Sequence, residues 1–394
     1  MFREYYLKND VILPPRFTRR EYGFMFFDKS YVLRHKAFFS KGEIKKFLVK
    51  EVPRHAYYST AYYKDPKNKD MEKKGWMGAD LVFDLDADHI PETEGKSYSE
   101  MLNIVKREAE KLVVRYLMND FGFDERDIEI VFSGGRGYHI YVRNKDVQVL
   151  GSNERREIVS YITGGSYDIT KFLMKEEGKG KKRRTLYFLY PPDFGGWYGK
   201  VSREIIDISR FLLFLYTNYG EDAVVNEINS ILKNKKLSVR VTKDLFKETK
   251  LNTMKIEYLI SEDQSPKLQI LRTDKIRDAF LLYLKEKIRI RGEADEPVTT
   301  DIHRLIRLIG SLHGKTGFIV KPLTFKEFKE FNPLKDAIPE TFKEGESKII
   351  MKEKIEIEMN GENHRIDGEG CVPDYLAIFL VARGMADFVS RCSS

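Results

Sequence analysis

The sequence is poor in cysteine: it has two in 394 residues, Cys371 and Cys392, with no CxxC spacing. That scarcity argues against a disulfide framework and a cysteine zinc site, and it fits a reducing cytosol. Long apolar runs are missing too. None reaches the roughly 18 residues that a membrane span needs, so no membrane segment is expected. The opening residues, MFREYYLKND, bring charge too early for a secretory leader and lack its apolar stretch. No internal repeat interrupts the chain. What remains is a globular composition, 42% hydrophobic and 13% aromatic, on a chain long enough for two domains or subdomains. The net charge of +8 suits an anionic partner such as nucleic acid or nucleotides.

Texture changes twice along the chain. In the first 60 residues, basic and aromatic residues alternate as in paired strands, Tyr22 to Phe27 and Tyr31 to Phe39, turning at Asp28 and Lys29. The stretch KSYSEMLNIVKREAEKLVVRYLMNDFG predicts a helix. Ser97 and Glu100 form a capping box, Met101, Val105, Ala109, Leu112 and Tyr116 make one stripe, and Gly122 ends it. Residues 151–284 read as a mostly helical insertion between the two parts of an α/β (α+β) core, residues 1–150 and 285–394. Within the insertion, the basic run Lys179 to Arg184 is either a solvated loop or a nucleic-acid contact. A last helix begins at Pro373, and the chain from Phe388 onward is expected to fray.

The segment DLVFDLDADH, Asp80 to His89, crowds acids onto an apolar strand. Side chains alternate along a strand, so Asp80, Asp84, Asp86 and Asp88 share one face and Leu81, Phe83 and Leu85 the other. Same-face neighbours stand roughly 7 Å apart. Bare carboxylates at that spacing repel and raise one another's pKa. A divalent cation relieves the repulsion, and carboxylate oxygens are the ligands that Mg²⁺ and Mn²⁺ favour. Asp84 and Asp86 are therefore candidate metal ligands, the alternative being an edge strand with a solvated acidic face. A DxDx[TV] phosphatase strand is a rival reading, but Asp88 stands where that motif has Thr or Val.

Two more clusters carry chemistry. In SGGRGYH, Ser133 to His139, glycines let a backbone turn approach an anion closely. Ser133 and Gly134 line that turn, Arg136 is suited to clamp a phosphate, and His139 follows on the outgoing strand. The segment DEPVTTDIHRLIRLIGSLHGKTG offers Asp295 as a third carboxylate and Arg307, His313 and Lys315 as phosphate contacts. Arg304 and Arg307 are expected on a short helix, with His303 on the face of Arg307. GSLHGKT is not a P-loop, being one residue short between its glycines.

Taken in order, VFDLDA, SGGRGYHI and VTTDIHRLIRLIGSLHGKTG resemble the catalytic small subunit of archaeal and eukaryotic DNA primases, over most of the chain. The openings RREYGFMF and SYVLRHKAF are similar to that family's first hairpin. The resemblance implies metal-binding aspartates at Asp84, Asp86 and Asp295, a nucleotide-phosphate turn at Ser133, Arg136 and His139, and late phosphate contacts at Arg307 and His313. It also suggests roles for Glu21 and Arg34 in the hairpin. One departure is plain: where the family carries a Cys/His zinc knuckle, this chain has the short, cysteine-free ADHIPETEGKSYSE, so no structural zinc is expected there.

The activity so implied is de novo, template-directed synthesis of short RNA primers on single-stranded DNA, using two Mg²⁺ or Mn²⁺ ions. Some archaeal members also extend with deoxynucleotides. The implied partners are a large subunit in a heterodimer, the DNA template and NTPs, with no membrane. The place is the cytoplasm, at the nucleoid, for an archaeal chain and the nucleus for a eukaryotic one. Two rivals stand beside this reading: a repair polymerase of the same superfamily that extends existing primers, and a catalytically silent nucleic-acid-binding subunit.

Overall fold

The computed structural model describes residues 1–164, 168–177, 185–249, 252–260, 271, 273–288 and 291–392. The Lys179 to Arg184 run lies outside them. By internal contact the chain divides into two units, residues 1–163 with 292–394, and residues 164–291.

The first unit is α+β and rests on two antiparallel four-stranded sheets. In one, the strand order is Leu305–Arg307, His55–Ser59, Tyr22–Met25, Val32–Lys36. In the other it is Lys321–Leu323, Ile128–Phe132, Gly137–Val142, Leu81–Asp86. The acidic strand thus lies at a sheet edge. Leu81, Phe83 and Leu85 are buried, while Asp84 and Asp86 on the alternate face keep partial exposure. The helix Tyr98–Lys111 packs on this sheet, and its capping box at Ser97 and Glu100 is formed as expected.

Three readings from sequence need correction here. Residues 305–307 form a strand, not a helix, because they complete the first sheet: Leu305 pairs with Ser59 and Arg307 with Tyr57. Ladder pairing outweighs the i,i+3 spacing of two arginines. Phe388 to Arg391 are not frayed: Ala386–Arg391 pairs with Glu346–Met351 in a three-stranded sheet beside the helix Asp374–Ala382. The same small sheet brings Cys371 and Cys392 together as a disulfide, 21 residues apart in sequence, which the spacing did not announce.

The helix Ser152–Thr163, expected in the insertion, lies in the first unit. Its buried Arg155 explains why, donating to the carbonyls of Ala79 and Asp80 at 2.8 and 2.9 Å, just ahead of the acidic strand. The second unit holds the hairpin Met174–Glu177 and Thr185–Phe188, followed by helices Gly196–Tyr219, Glu221–Leu232, Lys235–Leu245, Glu257–Ile260 and Asp274–Lys287. Its core gathers Ile205, Leu212, Val224, Ile228, Leu245 and Phe280. Among the described residues no helix is long and apolar enough to cross a membrane.

Candidate active site

The register of the second sheet sets Asp84 opposite His139 and Asp86 opposite Gly137. Any side chain at 137 would run into the Leu85 carbonyl, so glycine lets the two backbones close there. The outer edge of the acidic strand is covered by the chain returning near residue 295. The Asp295 N–H donates to the Asp84 carbonyl at 3.1 Å. The strand's edge is thus paired at Asp84 by the Asp295 backbone, while the side chains of Asp86 and Asp88 keep partial exposure.

Burial, then the charges of Asp86 and Asp295, push the pKa of Asp84 up to about 7. The Nε2 atom of His139 stands 3.5 Å from its Oδ1. Burial, aided by Arg307 and Arg304, holds His139 down to about 3, so this imidazole is neutral and supplies no countercharge. No choice of one oxygen from each aspartate brings all three within 4.8 Å of one another. All three offer oxygen donors, the ligand type that hard divalent ions favour, and the charges of Asp86 and Asp295 work against ionisation of Asp84.

The other acids of the opening motif have different employment. Asp80 is fully buried, paired with Arg20 at 2.7 Å and accepting from the Tyr62 hydroxyl at 2.6 Å. It shares the parity of Asp84 but is spent on the fold. Asp88 lies in the turn after the strand and binds Arg136, which also stands 3.7 Å from Asp86. The expected phosphate clamp is thus held by an acid. His89 reaches Asp295 at 3.6 Å.

The glycine turn and the late basic segment meet. Gly134 has φ +78°, and a Cβ there would stand 2.7 Å from that of His313. Thr316 donates to the Gly134 carbonyl at 2.5 Å and Tyr98 to that of Gly135 at 2.8 Å. The Ser133 hydroxyl accepts from the Gly135 N–H at 3.3 Å. His313 is buried and held well below the usual imidazole range by that burial and by Arg307. Its Nδ1 accepts from the Lys315 N–H at 3.3 Å, which leaves the proton on Nε2, the atom nearest Gly135. Lys315 is exposed beside it. No helix follows Lys315 and Thr316. The segment instead folds back through a bridge between Leu312 and Ile319, unlike a P-loop.

One residue escaped the sequence reading, and another, Arg304, was named there without a role. His55, buried in the first sheet, accepts from Arg307 at 2.7 Å and from the Gly314 N–H at 3.2 Å, both at Nδ1. Arg304 acts electrostatically on both Asp84 and His139. A lone histidine in PRHAYY carries no motif, and only the strand pairing reveals its partner. Glu21 and Arg34 pair at 2.9 Å, joined by Lys74 and by the His35 N–H, in a cluster of their own. Burial works against the Glu21 charge, but these partners outweigh it and hold its pKa low. Among the described residues no hydrogen bond or ion pair joins this cluster to the three aspartates.

Comparison with known proteins falls on this same region. The family model of the DNA primase small subunit matches residues 83–325, from the acidic strand to just past the basic segment. A Methanocella arvoryzae protein named DNA primase small subunit PriS is 37% identical, with 98% of this chain and 96% of the relative aligned. Proteins of the same name from Methanothrix thermoacetophila and Thermoplasma volcanium are 38% and 36% identical, covering 98% and 99% of this chain and 96% of each relative.

Proposed function

The chain belongs to the DNA primase small-subunit family, and from that premise we propose that it is the catalytic subunit of a DNA primase, a nucleotidyltransferase that starts RNA chains on single-stranded DNA. Asp84, Asp86 and Asp295 would hold two Mg²⁺ or Mn²⁺ ions. When bound, such ions ease deprotonation of an attacking 3′-hydroxyl and neutralise the triphosphate and departing pyrophosphate. The observation that carries the reading is the meeting of this repulsive carboxylate set with two neutral imidazoles and Arg307.

Each residue then has work defined by its surroundings. Asp84 must lose its proton before it can ligate, and its pKa near 7 makes that step sensitive to neutral pH. His139 and His313, being neutral, offer N–H donors to phosphate oxygens without adding charge beside the metal ligands. Arg307 and exposed Lys315 supply the positive field for the triphosphate. Ser133 and Gly134 form the wall that lets phosphate oxygens approach the backbone. Arg136 joins them when phosphate displaces Asp88. A large subunit as heterodimer partner, single-stranded DNA template and NTPs, with dNTPs as further substrates, complete the reading. The archaeal relatives suit a cytoplasmic, nucleoid-associated place.

The test is synthesis of dinucleotides and primers from labelled NTPs on unprimed single-stranded DNA, with Mn²⁺ or Mg²⁺, with and without a large subunit. Products from the wild type and none from Asp84→Ala/Asp86→Ala are expected. Metal-dependent extension confined to primed templates would replace the primase with a repair polymerase. DNA binding without any synthesis would leave a silent binding subunit.

A further inference from the structure

Arg307 and the loop carrying Lys315 come from different secondary-structure contexts. One is the last residue of an edge strand and the other sits in a turn. Two independent hydrogen bonds join them at a single atom. His55 Nδ1 accepts from the Arg307 guanidinium at 2.7 Å and from the Gly314 N–H at 3.2 Å. The ring packs edge-to-face on His313, with centroids 4.9 Å apart. Arg307 lies across from Tyr57 in the ladder, and its guanidinium passes 5.4 Å from that ring to reach His55, two residues further along the strand.

We infer that His55 is a positioning residue for the triphosphate pocket: its Nδ1 lone pair fixes Arg307 and the Gly314–Lys315 backbone relative to each other and to His313. This rests on the phosphate-binding reading given above. One lone pair shared by two donors requires an unprotonated Nδ1, with the ring proton on Nε2. Burial, reinforced by Arg307, Arg54 and Lys315, depresses the pKa of His55 to about 2, so the acceptor stays available at any working pH. Without it Arg307 would keep its ring contact with Tyr57 but lose the bond that selects one orientation. The Gly314 N–H, buried against the Arg54 backbone, would be left without this acceptor. The residue does not reach the nucleotide itself. It acts through Arg307 and the loop.

Asn and Gln separate acceptor position from bulk. Asn places its carbonyl oxygen near the position of Nδ1, whereas Gln carries its amide out toward that of Nε2. His55→Asn is expected to keep KM for NTP within about 3-fold of wild type. His55→Gln should raise it roughly 10-fold or more, with kcat changed far less and Mn²⁺ binding to the aspartates unchanged. In an Arg307→Ala background the Gln substitution should add less than it does in wild type, because only the Gly314 bond is then left to lose. Equal damage from Asn and Gln, a loss confined to kcat, or fully multiplicative effects with Arg307→Ala would each overturn the positioning role. Nucleotide binding is measured in parallel by equilibrium titration with Mn²⁺ present. A wild type that binds no nucleotide would overturn the phosphate-site reading itself. A wild type that binds, with His55→Gln binding equally well, would overturn the role of His55 alone.

Discussion

Asp80 and Asp84 stand four residues apart on one face of one run of chain, and the fold treats them in opposite ways. Asp80 is closed: Arg20 and Tyr62 satisfy its oxygens in a fully buried pair, and Arg155 caps the carbonyl behind it. Asp84 is left among like charges, with neutral His139 3.5 Å away and with Asp86 and Asp295 raising its pKa. The first arrangement secures where the strand sits. The second stores electrostatic repulsion that a cation relieves. A carboxylate that the fold has already paired has little to offer a metal, whereas one left among like charges would gain from a cation.

The comparison is broken most sharply by neutralising each acid in turn. Asp84→Asn is expected to lower nucleotidyl transfer by about 10³-fold or more while leaving the protein folded, checked by primer synthesis and circular dichroism. Asp80→Asn should do the reverse. Removing one partner of a buried ion pair typically costs about 3–5 kcal/mol, read as a lower urea midpoint, with the active fraction keeping its turnover.

A third experiment sharpens the contrast through pH in metal-free protein. The folded-state pKa of Asp84, about 7, lies above the ordinary value of 3.8, so folding favours its protonated form. Its burden is absent below about pH 4, grows as pH rises toward 7, and levels off above that. Metal-free Asp84→Asn should therefore match wild-type stability at acid pH and exceed it at pH 8, with a ceiling of about 4 kcal/mol. Saturating Mn²⁺ should shrink or reverse the difference. A gap that did not depend on pH would sink this account. The smallest effect belongs to Asp88, whose pair with Arg136 is partly exposed. Asp88→Asn should change stability by less than about 1 kcal/mol and lower KM for NTP by roughly 2–3-fold, since phosphate no longer competes for Arg136.

Local rules carried the sequence reading where the decisive interactions are local. The capping box at Ser97 and Glu100, the alternation that buries Leu81, Phe83 and Leu85, and the turn at Gly134 each follow from a few adjacent residues. What stayed hidden depends on partners far along the chain. Asp80 and Asp84 have the same parity, and only Arg20 and Arg155, distant in sequence, tell them apart. The Leu305–Arg307 strand looked helical because its spacing suits a helix and its ladder partner lies near residue 57. Cys371 and Cys392 meet only because two strands flank Glu346–Met351. His55 had no motif at all, and its meaning comes from Arg307 and Gly314.

The covering of the acidic strand by Asp295, and of His55 by Arg307, has a consequence for how a cell makes this protein. More than 200 residues separate Asp84 from either late partner. At translation speeds of about 5–20 residues per second, the carboxylate pair waits roughly 10–45 s for the residues that complete it. A nascent chain or prematurely terminated product therefore carries the acidic strand without Asp295 or Arg307. The order of synthesis therefore separates in time residues that the fold places side by side.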